Sequence, residues 1–122
     1  MKAKFTDLTG KILTSIENKD NKELVFTTTE GDNYIMFHNQ ECCEHVYIED
    51  ISGDLNDLIG NPITLAEEST NGGETEDLDS FTWTFYKLAT IKGYVNIRWY
   101  GESNGYYSES VDFYDMSKGR WE

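Results

Sequence analysis

The stretch His38–Gly60, HNQECCEHVYIEDISGDLNDLIG, contains every cysteine and histidine of the chain and joins two β-rich halves. At its centre Val46, Tyr47 and Ile48 are β-branched or aromatic, side chains that suit a pleated, half-buried backbone, so residues 45–51 are read as a strand. Asp54 stands where a helix N-cap is expected, with Leu55, Leu58 and Ile59 spaced on one helical face behind it. Gly60 can supply a left-handed closing residue and Pro62 forbids continuation, which predicts one short helix near residues 54–60. Asp50, Asp54 and Asp57 lack the alternation of oxygen ligands that a calcium loop requires, because Leu55 and Leu58 interrupt it; capping is the better reading.

Toward the N-terminus, residues 11–17 read as a first strand and the polar run 18–22 as a turn. Residues 24–29 and 33–37 read as a hairpin around a two-residue Gly31-Asp32 loop, which sets Phe26 opposite Phe37 and Val25 opposite His38. Leu24, Phe26, Ile35 and Phe37 then share the core face. Toward the C-terminus, residues 63–67 read as a strand and the polar run 69–80 as a long, mobile acidic loop. FTWTFYKL, residues 81–88, is apolar on both faces of an alternating pattern, as a central strand would be. The last hairpin is expected to turn at Ser103-Asn104-Gly105, setting Val95 against Phe113 and Ile97 against Val111, with Arg98 and Ser110 on the opposite face. Residues 115–122 are left as a short tail. Together these features predict a mainly antiparallel all-β domain of about eight short strands and one short helix, built as a two-layer sandwich or a strongly curved sheet.

The chain of 122 residues is of single-domain length and can bury a core without disulfides or a metal. Its start has no apolar signal-like core and no run of apolar residues is long enough to cross a bilayer, so a soluble cytoplasmic protein is expected. Two adjacent cysteines agree with a reducing compartment and are expected to be buried as small hydrophobes. The net charge is −13, and from Glu23 to Tyr86 fifteen acids occur without one Lys or Arg. Such a block disfavours nucleic acid and membrane surfaces and attracts basic protein surfaces, or else serves solubility alone.

Three candidate sites follow. His38, Cys42, Cys43 and His45 are the ligand types that zinc prefers, but adjacent cysteines in an extended chain point to opposite faces, so no metal and no cofactor is expected. A cysteine nucleophile with a histidine base is disfavoured by the neighbouring Glu41 and Glu44, which oppose thiolate formation. Phosphate-binding loops, GxSxG and HExxH are absent from the sequence. The second candidate is the polar face of the last hairpin, Tyr94, Asn96, Arg98, Tyr100, Tyr106, Ser108 and Tyr114, where tyrosines supply rigid contact area and Ser, Asn and Arg supply hydrogen bonds. The third is the acidic group Glu67, Glu68, Glu74, Glu76, Asp77 and Asp79.

The runs CCEHVYIEDISGDLNDLIG, FTWTFYKLATIKGYV and IRWYGESNGYYSESV resemble an uncharacterised family of small acidic proteins and domains of bacteriophages and bacteria, over roughly residues 10–113. The resemblance implies a phage or prophage setting and brings no activity to any residue. The expectation is a non-enzymatic protein that modulates or inhibits a host or defence protein, presenting its acidic surface, its tyrosine face or both to a basic surface such as that of a nucleic-acid-binding enzyme. A module sequestering a nucleotide-like ligand at Arg98 and a metal or thiol enzyme at His38–His45 are the alternatives, and exposed edge strands could pair between copies.

Overall fold

The computed structural model describes residues 2–74 and 79–116. Among them lie eight strands: β1 (Leu13–Lys19), β2 (Glu23–Thr28), β3 (Asn33–Phe37), β4 (His45–Ser52), β5 (Leu65–Glu74), β6 (Ser80–Thr90), β7 (Gly93–Ser103) and β8 (Asp112–Asp115). They form two four-stranded sheets, ordered β1-β2-β3-β8 and β4-β7-β6-β5, with every paired neighbour antiparallel. Of the two expected architectures this is the two-layer one. The layers meet through Leu24, Phe26, Tyr34, Met36 and Phe113 of the first sheet and Val46, Ile48, Tyr86, Leu88, Val95, Ile97 and Trp99 of the second. Trp99 Nε1–H donates to Met36 Sδ at 3.2 Å across the interior, and Phe5, from a 3-10 turn at Phe5–Leu8, packs on Tyr86 and Phe113 with ring centroids 4.6 and 5.5 Å apart.

Two pairings expected in the first hairpin are corrected. In the β2–β3 hairpin Phe26 faces Tyr34 and Val25 faces Ile35, so Phe26 does not meet Phe37. Thr28 N–H donates to Asp32 O at 2.9 Å and Asp32 N–H donates to Thr28 Oγ1 at 3.1 Å, closing a three-residue loop in which Gly31, at φ +88°, takes the last, left-handed position and not the first. The core face therefore carries Leu24, Phe26, Tyr34 and Met36, while Ile35 and Phe37 turn outward, Phe37 against Tyr114 at 5.5 Å.

The expected loop at 69–80 is largely strand. β5 continues to Glu74 and pairs with β6 from Leu65↔Ala89 to Glu74↔Ser80. Apolar side chains are not needed there, because the β6 backbone satisfies one edge of β5 while its side chains remain in solvent. Gly72 permits the approach: a Cβ at that position would stand 2.8 Å from Phe81 O. Residues 75–78 of that expected loop lie outside the described residues.

The expected hairpin between β7 and residues 106–114 does not form. Val95, Ile97 and Trp99 do turn inward, but β7 lies between β4 and β6, and β8 pairs with β3 in the other sheet, with Phe113 facing Met36. Residues 106–111 cross from one layer to the other. Glu109 anchors that crossing, buried and accepting hydrogen bonds from Thr82 Oγ1 at 2.7 Å and Ser103 Oγ at 2.5 Å. Its Cβ rests where Gly101 has none. The expected helix near 54–60 is a single 3-10 turn, Leu55–Leu58, in which Asp54 caps as expected by accepting from Asn56 N–H at 2.9 Å and Gly60 closes at φ +89°. Tighter i→i+3 bonds satisfy the backbone in the little chain between β4 and Pro62.

Candidate binding face and the His38–Glu44 loop

Strand alternation turns the opposite side chains of the second sheet outward. Tyr47 on β4, Tyr100 on β7 and Trp83 on β6 are register neighbours, and their rings form a row with centroid separations of 6.0 Å (Tyr47–Tyr100) and 4.6 Å (Tyr100–Trp83). Phe85 extends the row at 6.5 Å from Trp83. Arg98 lies over Trp83 with Cζ 5.5 Å from the ring centroid, and its Nε–H donates to Glu49 Oε2 at 2.5 Å. That hydrogen bond, opposed by desolvation and aided by the charges of Glu49 and Asp50, raises the guanidinium pKa further. Lys87 Nζ sits 5.0 Å over Tyr94, and Lys22 Nζ 5.7 Å over Tyr47. Tyr100 donates its hydroxyl to Glu102 at 3.1 Å; desolvation first, then this bond, pushes its phenol pKa up. A hollow of about 450 Å³ opens beside the row, lined by Asp50, Glu67, Phe85, Lys87, Asn96 and Arg98 among others.

The loop ahead of β4 is organised by a buried His38–Glu44 side-chain pair. His38 Nε2 meets Glu44 Oε2 at 2.8 Å, and His38 Nδ1 meets Ser110 O at 2.7 Å. The same carboxylate accepts backbone N–H from Glu41 and Cys42, each at 2.9 Å, and Gln40 Nε2 donates to Glu44 O at 2.7 Å. Burial opposes the charge of Glu44, but the hydrogen bonds from His38 and the backbone outweigh it and hold the carboxyl at about 2.

Residues 6–113 match the family described as a domain of unknown function, DUF7448. The chain belongs to this family. No curated protein and no solved structure matches it. The matched span takes in β1 to β7 and the start of β8, with the aromatic face and the His38–Glu44 loop.

In this DUF7448 chain Tyr94, Asn96, Arg98 and Tyr100 share the outward face of β7. Tyr106, Ser108 and Tyr114 do not join them. Tyr106 is 88% exposed on the crossing, Ser108 bonds Ser110 there at 2.7 Å between hydroxyls, and Tyr114 lies on the outer side of the other sheet. The reason is the displaced β8: with no β7–β8 hairpin, nothing brings those three residues beside Arg98. Tyr47, Trp83, Phe85 and Lys87, which do join it, had a sequence signal in the alternation of FTWTFYKL beside that of strand 45–51.

The acidic candidates are spread out. Glu67 and Glu68 occupy opposite faces of β5, and Glu68 accepts from the buried Tyr86 hydroxyl at 3.1 Å; burial, then the Glu68 charge, pushes that phenol far up. Glu74 lies seven residues beyond Glu67, about 23 Å by strand rise, with exposed Asp79 next to Ser80, the residue that pairs with Glu74. Glu76 and Asp77 lie outside the described residues.

At the alternative metal or thiol site, His38–His45, both His38 ring nitrogens are engaged within the protein, and His45 is exposed on β4. Cys42 and Cys43 are exposed and joined to each other as a vicinal disulfide, which corrects the expectation of buried thiols. Their segment passes outside the core because Glu44, and not the cysteines, is drawn inward. Among the described residues no group of three His, Cys, Asp or Glu side chains could hold a metal ion, and no helix is long and apolar enough to cross a membrane. Glu44 itself was legible by parity, since residues 44, 46 and 48 fall on the inward side of one strand.

Proposed function

We propose that this domain is a non-enzymatic binding module that engages a protein partner through the outward face of the β4-β7-β6-β5 sheet. The observation that carries this reading is the continuous row Tyr47, Tyr100, Trp83 with Arg98 stacked on it, since Trp, Tyr and Arg dominate the energetics of protein contact surfaces. Rigid rings lose little conformational freedom on binding, and Arg98 is already held in place by Glu49. The carboxylates of Glu49, Asp50, Glu67 and Glu102 surround the row and favour a partner bearing Lys and Arg. Dispersal of Glu67 from Glu74 and Asp79 argues for the aromatic face as the principal contact, with the acids as its rim. In the phage or bacterial setting that the sequence resemblance implies, the partner is a host or defence protein with a basic, nucleic-acid-binding surface, which the acidic domain occupies and thereby inhibits.

The test is affinity capture from a bacterial host lysate, followed by titration of the captured protein with wild type, Trp83→Ala and Tyr100→Ala. At least one variant is expected to weaken binding by about 2 kcal/mol or more, a loss of roughly thirtyfold. Unchanged affinity in both would remove this face as the contact. A second reading rests on the hollow beside Phe85, where a nucleotide-like ligand could stack on that ring and meet Arg98 and Lys87. Retention of a small molecule by wild type and its loss in Arg98→Ala would favour it.

A further inference from the structure

We infer that the free edge of β5, from Glu67 to Glu74, accepts an extended segment of a partner protein carrying Lys or Arg at alternate positions, so that the partner adds a fifth strand to the sheet. The inference rests on the reading of this domain as a protein-binding module and names the segment that it binds.

β5 ends the sheet order β4-β7-β6-β5, and its ten-residue pairing with β6 runs without a register break. Among the described residues no other backbone group bonds to Glu67–Glu74. The opposite edge is treated differently. β4 carries a register shift between Ile48 and Asp50, and Asn21 O, from the β1–β2 turn, accepts the Ile48 N–H at 2.7 Å. Edge strands are ordinarily protected by charged side chains, proline, a bulge or a cover. EESTNGGE, residues 67–74, has no proline and no bulge, and its charges are all acidic, so they repel acidic strands without opposing a basic one.

Charge selects the occupant. Glu67 lies on one face of this edge and Glu68 and Glu74 on the other, with no Lys or Arg between Glu23 and Tyr86. A second copy of the chain is disfavoured, since an antiparallel β5–β5 pair centred on Asn71 would set Glu68 directly against Glu74 on the same face. A basic strand meets the opposite sign along the same edge.

Shape agrees with charge. An added strand projects successive side chains to opposite faces. On the outer face they would enter the hollow of about 450 Å³ that includes Glu67, Ser69 and Phe85 and also Lys87 and Arg98, which suits the uncharged side chains of the alternating segment and leaves its Lys or Arg for the inner face. On the inner face a second hollow, of about 350 Å³, lies between β5 and the 108–111 crossing, with Glu68, Thr70 and Glu109 in its lining. Main-chain hydrogen bonds would supply affinity and the two hollows selectivity, the division of labour in strand addition.

The probe is a blocked octapeptide of alternating lysine with threonine or valine, compared with a peptide of equal charge in which two of the uncharged residues are proline. Amide spectra and hydrogen exchange of the full chain are recorded with each. The lysine peptide is expected to slow exchange and shift resonances within Glu67–Glu74, the proline peptide to bind at least about tenfold more weakly, and Glu67→Lys with Glu74→Lys to weaken the lysine peptide by a similar factor. Equal binding of the two peptides, or no protection of β5 at millimolar lysine peptide, overturns the inference. Perturbation centred on Tyr47, Trp83 and Tyr100 with β5 unaffected also overturns it while leaving the aromatic face as the contact surface.

Discussion

His38 and Glu44 form a side-chain pair at 2.8 Å whose members are only 4% and 0% exposed, and a third group, the Ser110 carbonyl, accepts from the other side of the imidazole. The pair thereby links the exit of β3, the loop before β4 and the crossing into β8. Removing either partner leaves a buried polar group without its bond, a larger effect than the pair's net contribution.

The first prediction is the pH dependence of this pair. Glu44 is held at about 2 in the fold against an ordinary 4.5, so in acid the unfolded chain takes up this proton before the folded one does. Its contribution is therefore complete above about pH 4.5 and is lost as the pH falls through about 2. Glu44→Gln should be less stable than wild type at neutral pH, and the difference should shrink across that window. Urea midpoints measured from pH 7 to 2 check this; a difference that stays constant between pH 4.5 and 2 contradicts it.

The second concerns the interior. Met36→Leu nearly conserves volume, an exchange that ordinarily costs below about 1.5 kcal/mol. Here it also deprives the buried Trp99 indole N–H of its acceptor. The total should rise to about 2–3 kcal/mol, read by denaturant titration of Trp fluorescence. A cost under about 0.5 kcal/mol would show the sulfur contact to be dispensable.

The third concerns the crossing. A Cβ on Gly101 would stand 3.0 Å from Cβ and from O of Glu109, and 3.1 Å from Val46 Cγ2. Gly101→Ala should cost about 1–3 kcal/mol by displacing residues 106–111. Hydrogen exchange should quicken in β8 more than in β1, which is remote from the crossing in the sheet order.

The fourth concerns β5. Tyr86→Phe keeps the buried ring and removes only the hydroxyl that donates to Glu68. A loss of about 0.5–1.5 kcal/mol is expected, because Glu68 is exposed enough to bond water instead. Thermal unfolding of the variant checks it; a loss as large as that of Tyr86→Ala, about 3–5 kcal/mol, would show the bond and not the ring to hold the strand.

Much of the binding face was legible locally. Alternation in residues 93–102 assigns inward and outward side chains without knowledge of any partner strand, which is why Arg98 and Tyr100 were placed correctly beside Tyr94 and Asn96. Tyr114 was misplaced because its assignment to the same face depended on a pairing and not on alternation. In the β2–β3 hairpin Gly31 signalled a turn but not its length, and one extra loop residue exchanges the faces of Tyr34 and Met36 with those of Ile35 and Phe37.

The sequence by itself determined that the chain is built of antiparallel strands, where a short helical turn interrupts them, and which side of β7 is apolar, because these follow from backbone preference and a two-residue period. Tertiary structure alone decided that β8 joins β3, that β5 extends into the acidic run, and that Glu109 is buried. Backbone edges are chemically alike, so a strand cannot specify its neighbour by its own hydrogen bonds. The choice is made by side chains distant in the chain, such as Met36 with Trp99, His38 with Ser110 and Glu109 with Thr82, which find their partners only when two layers close over them.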